Sequence, residues 1–133
     1  MSSPEEVVRE FCAAASKRDA ALLRPMLADG VVYHNVGMAP SRGVDETIAA
    51  IEGFWAMFDT YCDFDVKHLA VSGNAVLTER VDTLGNADLP LPVPVMGIFE
   101  VDADGRISAW RDYFDMGLVG RMMAGEEVAD VVP

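Results

Sequence analysis

The stretch from Ala75 to Leu84 constrains this chain more than any other. It has strand composition, and side chains on a strand alternate between two faces. Thr78, Arg80, Asp82 and Leu84 therefore share one face, and Glu79, Val81 and Thr83 share the other. An arginine and an aspartate on one strand face, between apolar neighbours, have two possible settings. They form an ordinary ion pair on a solvated sheet face, or they turn inward, where ionised groups persist only when paired.

Two further stretches favour the inward setting. Val31-Val32-Tyr33-His34-Asn35 reads as a strand with Tyr33 and Asn35 on one face. Ile107 to Phe114 reads as another, with Trp110, Asp112 and Phe114 on one face. If these faces converge, they gather Tyr33, Asn35, Arg80, Asp82 and Asp112. That is a pair of carboxylates, one bridging cation and two neutral hydrogen-bonding groups.

The rest of the chain is expected to frame such a pocket. Its 133 residues suit one domain spanning 1–133, and 51% hydrophobic content is enough for a sizeable core. Ser2 or Ser3 is placed to cap a first helix opened by Pro4, with Val7, Val8, Phe11, Cys12 and Ala15 on its apolar face. Asp19 caps a short second helix through Arg24, and Asp29-Gly30 closes that unit. A loop over Val36–Arg42 precedes a third helix from Gly43 to about Phe58, in which Gly53 would admit a close approach.

Strands are predicted at 63–71, 75–84, 95–101 and 107–114. In the first of these, Phe64, Val66 and His68 alternate with Asp65, Lys67 and Leu69. Ser72-Gly73-Asn74 and residues 102–106 read as turns. The Asp-Ala-Asp-Gly run lacks the further ligands of a calcium loop. Residues 85–94 carry Pro90, Pro92 and Pro94 and read as an irregular or edge segment. A short helix is expected over 115–124, and the tail from about 125 is expected to be loosely held. Two helices, a strand, a helix and then four strands make an α+β domain. A strongly curved, mainly antiparallel sheet closed by helices gives a cone with an interior pocket.

The net charge of −12 opposes binding to nucleic acid or anionic membranes. It also suits an uncharged substrate. Cys12 and Cys62 read as buried thiols rather than a disulfide framework, and neither is expected beside the polar set. The acidic N-terminus lacks the order of a signal peptide, so a soluble, cytoplasmic protein is expected. His34 and His68 read as structural, and no metal site is predicted.

The Tyr33-x-Asn35, Arg80-x-Asp82 and Trp110-Arg111-Asp112-Tyr113-Phe114-Asp115 set resembles the limonene-1,2-epoxide hydrolase family. That family belongs to the nuclear-transport-factor-2-like (NTF2-like, SnoaL-like) cones. The likeness runs from the first helix to about Leu118. It implies Asp112 as general base, Asp82 as general acid and Arg80 as the link between them. Tyr33 and Asn35 would help to hold the attacking water. It also implies a homodimer, no cofactor, and a small apolar epoxide opened by water to a vicinal diol.

One-step opening of an epoxide needs a water deprotonated on one side of the ring and the ring oxygen protonated on the other. A pair of carboxyl groups in opposite protonation states supplies both. Arg80 favours their charged forms, whereas burial and mutual repulsion oppose this, so the pair is expected to share a proton. No G-x-S-x-G nucleophile motif is present. The expected pocket wall comprises Met38, Phe54, Trp55, Phe58, Leu84, Met96, Trp110, Phe114 and Met116. Arg111 and Tyr113 face away and, with Leu77 and Val81, are candidates for a subunit contact. Two other readings compete. An isomerase or cyclase of the same cone would need a donor to an enolate, which a cation bridging two carboxylates is not. A small-ligand binding protein would need no poised carboxyl pair.

Overall fold

The computed structural model describes residues 2–58, 61–86 and 88–133, with Tyr61 described by its backbone alone. Helix α1 (Pro4–Ala15) starts where Ser3 Oγ accepts the Glu6 amide at 3.2 Å. It buries Val7, Val8, Phe11, Cys12 and Ala15, the face its spacing predicts. Asp19 caps α2 (Ala20–Leu23) by accepting from the Ala21 amide. Helix α3 (Val44–Met57) buries Thr47, Ile48, Ile51 and Trp55. Asp115 caps α4 (Met116–Met123) through the Gly117 and Leu118 amides. No described helix is long and apolar enough to cross a membrane.

The strands are β1 (Leu27–Asn35), β2 (Ser41–Arg42), β3 (Tyr61–Ser72), β4 (Ala75–Gly85), β5 (Pro90–Val101) and β6 (Ile107–Tyr113). They form one curved, unclosed sheet in the order β2-β1-β6-β5-β4-β3. Neighbours are antiparallel except β1 and β6, which are parallel. This is the α+β cone expected from the element order.

Several boundaries differ from the sequence expectation, each for a local reason. Strand β1 begins at Leu27 and runs through Asp29-Gly30, where its register against β6 shifts instead of the chain turning away. Ser41 and Arg42, expected in a loop, pair with Tyr33 and Val32. In β3 the register against β4 shifts between Val66 and His68. The extra residue reverses the alternation, so Leu69 packs against the core while the His68 side chain is 84% exposed and pairs with Glu79. A Cβ on Gly53 of α3 would meet nothing within 4 Å, so no close approach explains that glycine.

The largest difference is β5, which starts at Pro90 rather than at Val95. Strand β6 ends at Tyr113 opposite Met96, so Pro90, Pro92 and Pro94 have only β4 as a neighbour. Their missing N–H groups fall on this free edge, and alternate residues still bond to β4. The edge character was legible from the prolines, whereas the strand was not.

Two apolar clusters fill the cone. At its closed end Trp110 stacks on Tyr33 and Phe99, with ring centroids 4.2 and 5.4 Å apart, and meets Phe11 edge-on. At its open end Phe58, Leu91, Val93 and Val95 pack against Leu118, Val119 and Met122 of α4. Val128 and Val132, in the tail expected to be loosely held, pack on this second cluster.

Candidate active site

Cross-strand register brings the polar residues together. Thr78 of β4 lies opposite Gly97 of β5, Gly97 opposite Asp112 of β6, and Asp112 opposite Asn35 of β1. These residues form one row across the sheet. The adjacent row, Val76, Phe99, Trp110 and Tyr33, is almost wholly apolar. Arg80 and Asp82 follow Thr78 along the inward face of β4, so Arg80 reaches back across the row toward Asp112.

The guanidinium of Arg80 is fully buried and holds both carboxylates. Its Nε donates to Asp82 Oδ1 at 3.0 Å. Its Nη2 donates to Asp82 Oδ2 and to Asp112 Oδ2, each at 2.8 Å. The two carboxyl groups therefore meet on a single nitrogen. Asp82 and Asp112 are themselves buried, at 6% and 4% exposure. The faces of Phe64 and Phe99 lie 5.1 and 5.7 Å from the guanidinium carbon and shield the cation from water.

Asp112 has a second donor. Trp110 Nε1 donates to its Oδ1 at 2.8 Å, which leaves Asp112 Oδ2 on Arg80 and Oδ1 on the indole. On the far side of the stacked Trp110, Asn35 Nδ2 donates to the Tyr33 hydroxyl at 3.0 Å. Tyr33, Asn35, Asp82 and Asp112 thus face one volume, with Arg80 buried behind the carboxyls, and the inward setting holds.

Electrostatics separates the members of this group. Burial pushes the Asp82 carboxyl up from 3.8 to about 6, although Arg80 pulls it down through its charge and its hydrogen bonds. Asp112 adds to the upward push. For Arg80, burial acts downward, but Asp112 and Asp82 together hold it well above its ordinary range. Burial, reinforced by Asp112, raises the Tyr33 hydroxyl, which stays protonated and able to donate. The site therefore combines a fixed cation, a neutral phenol and a carboxyl group that keeps its proton to unusually high pH.

These groups lie at the base of an apolar cavity. Tyr33, Asn35, Asp82 and Asp112 line it, and Arg80 lies behind them. Of the expected wall residues, Phe54, Trp55 and Phe58 line it from the α3 side, with Leu84 and Trp110 from the sheet. Phe114 and Met116 also line it, Met116 being 54% exposed near the opening. Met38 and Met96 do not. Met38 lies in the turn after β1 and is 40% exposed. Met96 precedes Gly97 on β5, so it points to the outer face and is 51% exposed.

Other residues of the wall were missed. Leu91, Val93 and Val95 line the cavity on alternate positions of β5. Their period-two spacing between the prolines was the available signal. Ile51, Met57, Phe64, Val119 and Met123 also contribute. Cys62 lines the cavity too. Its thiol accepts from Trp55 Nε1 at 3.3 Å and donates to the Ala15 carbonyl at 3.5 Å. Burial raises both thiols, Cys12 to about 12, so neither is a ready nucleophile. His34 turns away from the pocket and its Nε2 contacts the Met38 carbonyl at 2.8 Å. Among the described residues no three His, Cys, Asp or Glu side chains are grouped closely enough to hold a metal ion.

The chain as a whole is similar to several known proteins. A profile of the limonene-1,2-epoxide hydrolase catalytic domain matches residues 2–123. Epoxide hydrolase EphG of Mycobacterium tuberculosis (strain ATCC 25618 / H37Rv) is 38% identical over 128 residues, covering 95% of this chain and 83% of that protein. The structure of an M. tuberculosis LEH-like epoxide hydrolase superposes with a TM-score of 0.75 at 35% identity, covering 96% of this chain and 94% of the other. A SnoaL-like protein from Shewanella denitrificans OS-217 gives a TM-score of 0.82 at 14% identity, over 92% and 98% of the two chains. That last likeness is one of fold alone.

Proposed function

The chain belongs to the limonene-1,2-epoxide hydrolase family, and from that membership we propose that it adds water to an apolar epoxide in one general acid/base step. The product is a vicinal diol. The observation that carries the proposal is the meeting of Asp82 and Asp112 on Arg80 Nη2, each at 2.8 Å, at the base of an otherwise apolar cavity.

In the proposed step Asp112 accepts a proton from water as the water oxygen attacks a ring carbon. The carbon–oxygen bond on the opposite side of that carbon breaks. Asp82, the carboxyl raised to about 6, gives its proton to the departing ring oxygen. Asp112 then holds a proton and Asp82 a negative charge. Arg80 touches both carboxyls, so its charge neighbours the anion before and after the step. Return of the proton from Asp112 to Asp82 restores the starting state. Tyr33 and Asn35, with Asp112, would position the water. The apolar wall would exclude bulk water and strengthen every electrostatic contact inside.

The test is diol formation from limonene oxide, cyclohexene oxide, styrene oxide and a steroid epoxide. A single turnover in ¹⁸O-labelled water should place the label in the diol, because no enzyme oxygen is transferred. Absence of diol from folded protein across this panel would sink the proposal. Label appearing only after the first turnover would replace the direct step with a covalent one. The homodimer belongs to the same proposal. Leu77 and Tyr113 are 38% and 50% exposed on the outer face of the sheet. A purely monomeric sedimentation profile would remove it.

A further inference from the structure

One buried polar side chain touches the Arg80 guanidinium without belonging to the carboxyl pair. Thr78 is fully buried. Its Oγ1 accepts from Arg80 Nη1 at 3.0 Å and donates to the Gly97 carbonyl at 3.3 Å. The hydroxyl is therefore oriented by the main chain of β5, and in turn orients the guanidinium.

Gly97 contributes by what it lacks. A Cβ there would run into Arg80 Nη1 and Asp112 Oδ1, and would lie 3.2 Å from Thr78 Oγ1. Its φ is not in the left-handed region, so backbone conformation does not demand glycine at this position. The close approach of Arg80 and Asp112 over β5 does demand it.

We propose that Thr78 and Gly97 form a seat that fixes the Arg80 guanidinium in register with both carboxyl groups, and that Thr78 is thereby a positioning residue for the acid/base step. The inference rests on the reading of that pair as the reacting centre. The geometry explains why a third anchor is needed. Nε and Nη2 fix one edge of the guanidinium against carboxylates, and Nη1 projects from the other edge. Without Oγ1, Nη1 has no side-chain acceptor from Thr78 in a fully buried site, and an unsatisfied buried donor is costly. The guanidinium would shift to find an acceptor, and the shared Nη2 contact would loosen.

The titratable groups that feel the Arg80 charge are Asp82 on β4, Asp112 on β6, Tyr33 on β1 and Cys12 on α1. Tyr33 and Cys12 are neutral, so a displaced guanidinium is felt by the two carboxyl groups. Arg80 holds Asp82 down, so loosening it should let Asp82 keep its proton to still higher pH.

Gly97→Ala pushes a methyl into the Arg80–Asp112 contact and endangers folding, so Thr78→Val carries the test. It keeps the branched shape and removes the hydroxyl. Folded Thr78→Val should lose on the order of ten-fold in kcat with little change in KM, as misplacement of reacting groups does. The Asp82 carboxyl, followed by ¹³C NMR without substrate, should titrate at higher pH than in wild type. Thr78→Ser, which restores the hydroxyl, should recover most of the rate and the wild-type titration. Wild-type kcat together with an unchanged Asp82 titration in Thr78→Val would overturn the seat. The titration needs no turnover, so it separates failure of the seat from failure of the hydrolase reading, which would show as an inactive wild type.

Discussion

Strands β4 and β5 pair along their whole length and turn the same side of the sheet inward, yet they bury opposite chemistry. The inward positions of β5 are Leu91, Val93, Val95, Gly97, Phe99 and Val101, all without a polar side chain. Those of β4 include Thr78, Arg80 and Asp82, buried just as deeply. Each large apolar side chain buried on β5 contributes about 1.5–3 kcal/mol to folding. The charges on β4 gain attraction but lose hydration, and such sets net close to zero or worse. Removing the cation is a different matter, because it strands buried carboxyls without a counter-charge. The comparison teaches that β5 accounts for stability, while the polar face of β4 needs another reason, and the proposed chemistry supplies one.

The strongest way to break that account is Asp112→Asn. It retains shape and an acceptor for Trp110 Nε1 but removes the proposed base. Diol formation should fall about 10²- to 10⁴-fold, the usual contribution of a general base. Circular dichroism should remain that of the folded protein. A variant with wild-type turnover would detach Asp112, and with it the carboxyl pair held by Arg80, from the chemistry.

Arg80→Met tests the energetic half of the comparison. It leaves two buried carboxyls with no cation, and should destabilise the fold by about 3–5 kcal/mol in urea melts at neutral pH. Combining it with Asp82→Leu makes the inner face of β4 resemble that of β5, and adding Asp112→Asn removes the charge that remains on β6. That triple variant should regain most of the loss, and apolar replacements of this kind can exceed the parent by about 1–4 kcal/mol. If it stayed as unstable as Arg80→Met alone, the ion set would be a stabilising element and the contrast between the strands would fail.

The same two strands show what was legible in the sequence. Arg80-x-Asp82 stands out on β4 because charge at strand spacing between apolar residues is a positive signal. Trp110-x-Asp112 and Tyr33-x-Asn35 carry a signal of the same kind, and they line one volume with Asp82, while Arg80 lies buried behind the carboxyls. The inner face of β5 carries its signal on Leu91, Val93 and Val95, with Pro90, Pro92 and Pro94 between them, and the prolines argued against a strand. That argument weakens on an edge, where no partner needs the missing donors. Gly97 had no side chain to notice, and its role emerges only from what a Cβ would strike. Met96 and Met38 were placed in the wall by residue type, not by face, and the pairing register sends Met96 outward. His68 was misassigned because a bulge is invisible to strict alternation.

Protonation offers a smaller but sharper test. Burial raises Asp82 in the folded state from 3.8 to about 6, so the fold favours its protonated form. That stability is fully present below the unfolded value of 3.8 and is lost as pH rises through about 6. One pKa unit is worth about 1.4 kcal/mol, so the loss is on the order of 3 kcal/mol at most. Asp82→Asn is neutral at every pH and escapes it. The stability of Asp82→Asn relative to wild type should therefore rise as the pH is taken from acid to neutral and level off above the Asp82 titration. The hydrolysis rate of wild type should decline as the pH rises through about 6, where the proposed acid loses its proton in the folded protein. A pH-independent difference between the two proteins would move the proton away from Asp82.

The finest test uses two adjacent apolar residues on β5 that occupy opposite faces. Val95 is 5% exposed, lies opposite Arg80 and lines the cavity; Met96 is 51% exposed and points outward. Val95→Ala removes packing from the wall and should cost about 1.5 kcal/mol of stability, at about 0.8 kcal/mol per buried carbon. It should also change kcat/KM among epoxides of different size, since it alters the wall and leaves the carboxyl pair in place. Met96→Ala should cost less than about 0.5 kcal/mol, as exposed substitutions do. It should leave the order of substrate preference untouched, although the side chain removed is the larger of the two. Equal costs, or a larger one at Met96, would mean that the two faces of β5 are not divided as the pairing register divides them. The contrast with β4 would then lose its geometric basis, because Gly97 would no longer face Arg80 and Asp112 from the strand's inner side.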